Sequence, residues 1–455
     1  MSAVRINDAR KKIAAVTGLA AAATTLAACS TVGASGATDG VVDYWLWDAN
    51  QLPAYQACAD AYQEETGNEV RISQYNFDDY WNKLTAALVA GAGPDVFTDH
   101  VGRYPEYVTR GALLDLNTLE ATASIDHDEF HPGLAEMWEG PDGGWYGVPK
   151  DFDTVALFYD RNQLEEAGLT DEDMQNLTWN PQDGGTYEDV IARLTVDENG
   201  VRGDEEGFDP ENVATYGIGT GGSGSYVGQT EWSQYAFSTG WHHTDETLWA
   251  TEYQFDEPEV QDTLAWYFGL AEKGYMPPYD VVGTNSDVVG QVGSGMAAMV
   301  PNGSWLITSF AALEGVDLGI APLPSGPVGH PVSMYNGLGD SINAETDNPE
   351  LAAEWVAFLG SDTCQEIVGS YAVVFPARPA GTEAAIEAFG EQGIDVTPFT
   401  DLVDAGHTAL YPLADHASTV DATMLPVMDG IYIGQRDVET LTEVNEQLNA
   451  LYEND

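Results

Sequence analysis

The stretch "VVDYWLWDANQLPAYQACADAYQEETGNEVRISQYNFDDYWNKLTAALVAGAGPDVFTDH" (Val41–His100) carries the rhythm that decides the fold. Val41 to Trp47 is aromatic and β-rich and reads as a strand. Leu52, Tyr55, Ala59 and Tyr62 then recur every three to four residues, the spacing of one helix face, and Gly67 stands where a C-cap belongs. Val70 to Tyr75 reads as the next strand and Asp79 to Ala90 as the next helix. A glycine-rich break then leads to a short strand ending at Asp99. Strand and helix in alternation predict an α/β sheet with parallel strands. Ligands of such sheets gather at the carboxyl ends of the strands, where Trp47-Asp48 and Asp99-His100 fall.

Outward from this core, "GGWYGVPKDFDTVALFYDR" (Gly143–Arg161) is a second aromatic strand region. Asp151 and Asp153 are two apart and share one face of a strand. That pair suits a glycosidase dyad or a clamp for sugar hydroxyls equally well. Between Asp171 and Asp209 the chain is acidic and loop-rich, and reads as surface insertion. "GIGTGGSGSYVGQTEW" lacks the Gly-Lys-Ser/Thr of a P-loop and reads as a close-approach loop beside a ligand. Glu350–Leu359 and the last stretch, "VETLTEVNEQLNALYE", read as amphipathic helices.

At the N-terminus, Arg5, Arg10, Lys11 and Lys12 precede Ile13–Ala28, a run of 16 residues without charge. It is shorter than the roughly 20 residues a membrane span needs, and it reads as a secretory signal over residues 1–28. Removing those residues, with their four basic groups and one acid (Asp8), from 15 Lys+Arg and 74 Asp+Glu leaves 11 basic and 73 acidic groups, a net of −62. Such a surface repels nucleic acid and anionic lipid. The acids are interleaved with apolar residues, and hydrophobic types make up 44% of the chain, so this is a folded body rather than an acidic tail. Its length predicts two domains. The histidines form no H-E-x-x-H, no C-x-x-C occurs, and G-x-S-x-G is absent, so no metal, cofactor or serine nucleophile is expected.

Leu26-Ala27-Ala28-Cys29 resembles the lipobox of bacterial lipoproteins, followed by a small-residue tether over 29–40. In order along the chain come "VDYWLWD", "AGAGPDVFTDH", "RGALLDL", "GWYGVPKDFDTVALFYDRNQLEEAGL", "GSGMAAMVPNGSWLI" and "NPELAAEWVAFLGSDTCQEIV". Together they resemble the extracellular solute-binding proteins of carbohydrate ABC transporters, the maltose-binding-protein group. The resemblance implies a two-lobed, type II periplasmic-binding-protein-like α/β fold. The first lobe would be 41–150 plus 337–375, and the second 155–332 plus 380–455. Hinge strands would lie near Lys150–Thr154, Ser333–Asn336 and Phe375–Arg378.

Carried onto this chain, the cleft should include Trp47, Asp48, Asn50, Asp99, His100, Lys150, Asp151, Asp153, Trp232, Trp305, Tyr335 and Asn336, with Trp305 as the main stacking platform. Lys150 is the only basic residue of that set, which disfavours a phosphorylated solute. Aromatic faces suit sugar rings, and carboxylates and amides suit hydroxyl edges. The implied function is non-catalytic: capture of a mono- or oligosaccharide by a monomer and delivery to a permease. Cys29 would hold the protein by lipid to the outer face of the cytoplasmic membrane. A polyamine-binding protein and a secreted glycoside hydrolase are the alternatives. Cys58 and Cys364 would both fall in the first lobe, on helices that could be neighbours, and could be joined as a disulfide or buried separately.

Overall fold

The computed structural model describes residues 40–245, 248–283 and 287–452. The signal region, Cys29 and most of its tether lie outside the described residues. The alternation in 41–100 appears as β1 (Val41–Leu46), helix Leu52–Thr66, β2 (Glu69–Gln74), helix Phe77–Val89 and β3 (Val96–His100). β1 runs parallel to both β2 and β3. Gly67 closes the first helix at φ +81°, a left-handed conformation that costs glycine no Cβ clash. Asn76 caps the second by accepting the N–H of Asp79.

The 143–161 segment holds β4 (Val148–Asp153) and β5 (Val155–Asp160), each buried along its whole length. Only Thr154 separates them, yet they belong to different sheets. β6 (Val196–Asp197), β7 (Val213–Ile218), β8 (Ala297–Gly303) and β9 (Leu318–Ala321) complete the second sheet, in the order β6-β7-β8-β5-β9. β10 (Ser333–Ile342), β11 (Phe375–Pro376) and β12 (Thr408–Leu410) join the first, whose order is β11-β4-β10-β3-β1-β2, with β12 beside β10. β10 is antiparallel to β3 and β4, so the all-parallel expectation from 41–100 holds for β1–β3 and the sheet as a whole is mixed. The chain crosses between the sheets at Thr154. Its hydroxyl donates to Phe399 O, and the next N–H, of Val155, donates to Ser333 Oγ.

The acidic region read as surface insertion is in part core. Helix Gly185–Leu194 lies within it and buries Tyr187 and Ile191, because only its loops carry the dense acids. Asp197 folds one of those loops by accepting the N–H groups of Asn199, Val201 and Asp209. In the first lobe, Cys58 and Cys364 form a disulfide with Cα atoms 5.3 Å apart, joining helix Leu52–Thr66 to helix Asp362–Ser370. Helix Pro349–Leu359 buries Trp355 against Tyr44 and Tyr62 at 5.8 and 5.2 Å. In the second lobe, Phe158 stacks on Phe310 at 4.3 Å.

Candidate functional site

A cleft of about 390 Å³ lies between the two sheets' surroundings. It is lined by Phe77, Trp81, His100 and Arg103, by residues of the glycine-rich run 224–231, and by Tyr411, Ser418 and Asp421. Phe77 and Trp81 are four apart on their helix, so both rings point one way. Trp47, at the end of β1, packs against Phe77, Tyr80 and Trp81 at 5.8, 5.1 and 5.2 Å, and so fixes the aromatic wall. The guanidinium of Arg103 sits 5.5 Å from the Trp81 ring.

His100 joins the cleft lining to β10. Its ring meets Tyr411 edge-on at 5.4 Å. Nδ1 accepts the N–H of Gly102, and burial pushes the ring's pKa down to about 3, so the imidazole is neutral with its proton on Nε2. The side-chain amide of Asn336 lies 3.2 Å from Nε2, and its oxygen is the end that complements that proton. Asn336 is paired in register with Asp153 on β4. Asp153 accepts the hydroxyl of Ser304, just past β8, at 2.5 Å, so a carboxylate of β4 in the first sheet is bonded to the end of a strand of the second sheet. Burial, together with the nearby Asp48 carboxylate, raises Asp153 to about 7, against the pull of the Ser304 bond. Trp305 follows Ser304, half-buried, with its ring lying over Gly303.

Other sequence-predicted residues lie deeper. Lys150 is 2% exposed; its ammonium donates to Thr98 Oγ1 at 3.0 Å and Tyr44 OH at 3.4 Å, over the Tyr55 ring. Tyr44 and Thr98 in turn donate to Asp340. Burial lowers the Lys150 pKa while Asp340, Asp151 and Asp48 oppose the shift. Asp151 is fully buried, with one oxygen accepting Leu338 N–H and the other unpartnered, and burial raises its pKa strongly. Asp99 is likewise buried, with Oδ1 on the N–H of His100 and its pKa pushed up to about 8. Tyr335 is 2% exposed and packs on Phe152. Trp232 is fully buried among Trp241, His243 and Phe255, its ring filling the space a Cβ on Gly228 would take; it packs as core. Asp48 and Asn50 form a turn after β1, closed by Asn50 N–H to Asp48 Oδ1.

The structure therefore links His100 to Asn336, Asn336 to Asp153 and Asp153 to Ser304, which precedes Trp305; of these only His100 lines the cleft, and Lys150, Asp151 and Asp99 are buried. Sequence reasoning missed Trp81, Phe77, Arg103, Tyr411 and Asp421. The i, i+4 aromatic pair at the start of a helix was the available signal for the first two. Tyr411 and Asp421 are distant in sequence and had none. Arg103 places a cation on the cleft itself, so the argument against an anionic solute from Lys150 alone falls away.

Two α/β lobes with the chain crossing between them around a cleft define a type II periplasmic-binding-protein-like fold. Two solved structures support this at the level of fold. UspC of M. tuberculosis matches with a TM-score of 0.71 and 24% identity, over 90% of this chain and 100% of that one. An ABC substrate-binding protein of Listeria monocytogenes, solved in complex with cycloalternan, matches with a TM-score of 0.75 and 16% identity, over 90% and 98%. Residues 57–389 match the bacterial extracellular solute-binding protein family, and the chain belongs to it. The maltodextrin-binding protein MdxE of Bacillus subtilis is 22% identical over 307 residues, 66% of this chain and 64% of that protein. The match thus spans somewhat under two-thirds of that relative's length. The family is one of binding proteins, and no helix among the described residues is long and apolar enough to cross a membrane.

Proposed function

We propose that the chain captures a mono- or oligosaccharide between its lobes and delivers it to an ABC-type sugar permease, without catalysis. The observation that carries this reading is the mixed lining of the cleft. Aromatic rings (Phe77, Trp81, Tyr411) stand beside polar groups whose bonding is unspent, such as Gln229 Nε2 in the cleft wall. Buried polar atoms without partners are costly, and a polyhydroxyl ligand with apolar ring faces satisfies both kinds of surface at once. Relatives named for maltodextrin and a neighbour solved with cycloalternan support the same solute class.

In this reading the lobes are those expected from the sequence: 41–150 with 337–375, and 155–332 with 380–455, hinged near 150–154, 333–336 and 375–378. One boundary is shifted in this reading: helix Pro379–Glu391 packs on Asp362–Ser370 and β11 and so moves with the first lobe, leaving the second lobe to resume after it. Trp47, Asp48, Asn50, His100, Asp153, Trp305 and Asn336 act at or beside the solute, and Trp81, Arg103, Glu231 and Tyr411 join them. Lys150, Asp151, Asp99 and Tyr335 support the strands that carry this set. Closure expels water, and the solute supplies the differential affinity for the closed state. Cys29 carries a lipid that keeps the protein at the outer face of the cytoplasmic membrane.

A thermal-shift screen tests the solute class. Maltotriose, lactose and other mono- and oligosaccharides are compared with spermidine and with glycerol phosphate. A sugar at 100 times its dissociation constant stabilises the fold by about 2.7 kcal/mol. A shift with spermidine alone, or turnover of chromogenic glycosides, would overturn the reading.

A further inference from the structure

Beside the cleft, away from its lining, the lobes meet a second time. Trp249 donates its indole N–H to the backbone oxygen of Glu139 at 2.6 Å and meets the Tyr104 ring edge-on at 5.8 Å. Tyr104 donates its hydroxyl to the same oxygen at 3.2 Å and packs on Trp138 at 4.8 Å, within the surroundings of the first sheet. The segment carrying Trp249 is tied elsewhere. Tyr253 and Phe255 donate their N–H groups to the side chains of Asn449 and Asn445, on helix Thr440–Asn449 of the second lobe.

Helix Tyr104–Thr109 makes two further bonds to the start of helix Ala417–Tyr432. Glu106 Oε1 accepts the N–H of Ser418 at 2.8 Å, and the Thr109 hydroxyl, with one hydrogen to give, lies 3.0 Å from Asp415 Oδ2 and 2.9 Å from Pro105 O of its own helix, so its bond across the seam is shared. Strain is concentrated at the same seam. Among the described residues, four other than glycine have a left-handed backbone: Ser225, Trp249, Ala372 and His416, at φ +49°, +50°, +53° and +62°. Three of them sit where the lobes meet. Ser225 lines the cleft, His416 lies between Asp415 and Ser418, and Trp249 makes the contact itself. Conformations this sparse persist where the surroundings over-determine them, and they cluster at clamps and switches. Trp249, Glu106 and Thr109 do not line the cleft.

We propose that Trp249, Glu106 and Thr109 form a clasp that holds the lobes closed and sets how long a solute stays, without touching it. The clasp rests on the reading of the protein as a closing solute binder. Each of its bonds spans the lobes, so opening breaks all of them while leaving each lobe's own packing intact. Its contribution appears in the closed-to-open ratio, and hence in the dissociation rate, because the association rate is set by the open form.

The test uses the whole soluble protein with spin labels at Glu64→Cys and Glu206→Cys, both exposed and one on each lobe. Inter-lobe distances are measured by pulsed dipolar spectroscopy with and without maltotriose. Trp249→Ala and the Glu106→Ala/Thr109→Val pair should each lower the closed-to-open ratio roughly tenfold, and Trp249→Phe, which keeps a ring but no donor, should fall between. Melting temperatures near wild type show that the lobes stay folded. Distance distributions unchanged in folded variants overturn the clasp, as does a wild type that is fully open with and without sugar. If wild type binds no sugar of the screen, the functional reading fails, while the label distances still decide whether the seam holds the lobes.

Discussion

At the scale of single residues, exposure separates the aromatic proposed to stack on solute from those packed into the cleft wall. Trp305 is half-buried and rests on Gly303, whereas Trp81 is 8% exposed inside an aromatic cluster. Trp305→Ala should cost about 2 kcal/mol of binding, a dissociation constant weaker by about 30-fold, with little change in melting. Trp81→Ala should lose affinity and also about 3–5 kcal/mol of stability. Calorimetric titration beside melting curves distinguishes them; unchanged affinity in folded Trp305→Ala would remove its stacking role. Asp99 makes a second prediction. Its folded pKa, about 8, lies above the unfolded carboxyl value, so the folded state holds a proton the unfolded state has released. Stability from Asp99 is therefore greatest at low pH and is lost as pH rises toward 8. His100, with its pKa near 3, contributes the opposite slope only below about 6.5, the unfolded histidine value. Between pH 6.5 and 8 wild type should lose stability relative to Asp99→Asn. Parallel melting curves over that range would show that Asp99 stays ionised in the fold.

Among the elements, the disulfide ties two helices that are 306 residues apart in sequence. A cross-link over so long a loop restricts the unfolded chain strongly, while its native surroundings, fully buried in the first lobe, lie away from the cleft lining. Replacing Cys58 and Cys364 together by Ala should lower stability by about 2–5 kcal/mol in denaturant titration and leave sugar affinity within twofold. A loss of affinity without a loss of stability would mean that helix Asp362–Ser370 positions β11 for binding. The same scale shows why strands were legible and their partners were not. The runs at Val41–Trp47 and Val70–Tyr75 fell within a residue of β1 and β2, because alternation and β-branched content are local properties. That β10 enters antiparallel between β3 and β4 depends on a return from the other lobe, which no local pattern records.

For the molecule as a whole, 11 basic against 73 acidic groups beyond residue 28 give a body with little attraction for an anionic bilayer, so membrane attachment in the proposed reading depends on the lipid at Cys29. Cys29→Ala should release the protein into the medium with its sugar affinity unchanged, measured on separated membrane and soluble fractions. A variant that stays with the membrane would refute the anchor. The family signal lay in the order of short motifs along the chain. The sequence by itself determined the alternating α/β elements, the strand region around Gly143–Arg161 and the absence of catalytic and metal motifs, since each is written in neighbouring residues; that the chain crosses over at Lys150–Thr154 came from the family resemblance. Only the tertiary structure decided which side chains face the cleft. It sank Trp232, Lys150, Asp151 and Asp99 into the interior and brought Trp81, Arg103, Tyr411 and Asp421 together. The reason is that a cleft between lobes is made by contacts among segments hundreds of residues apart, and residue type records a side chain's chemistry but not which neighbours cover it.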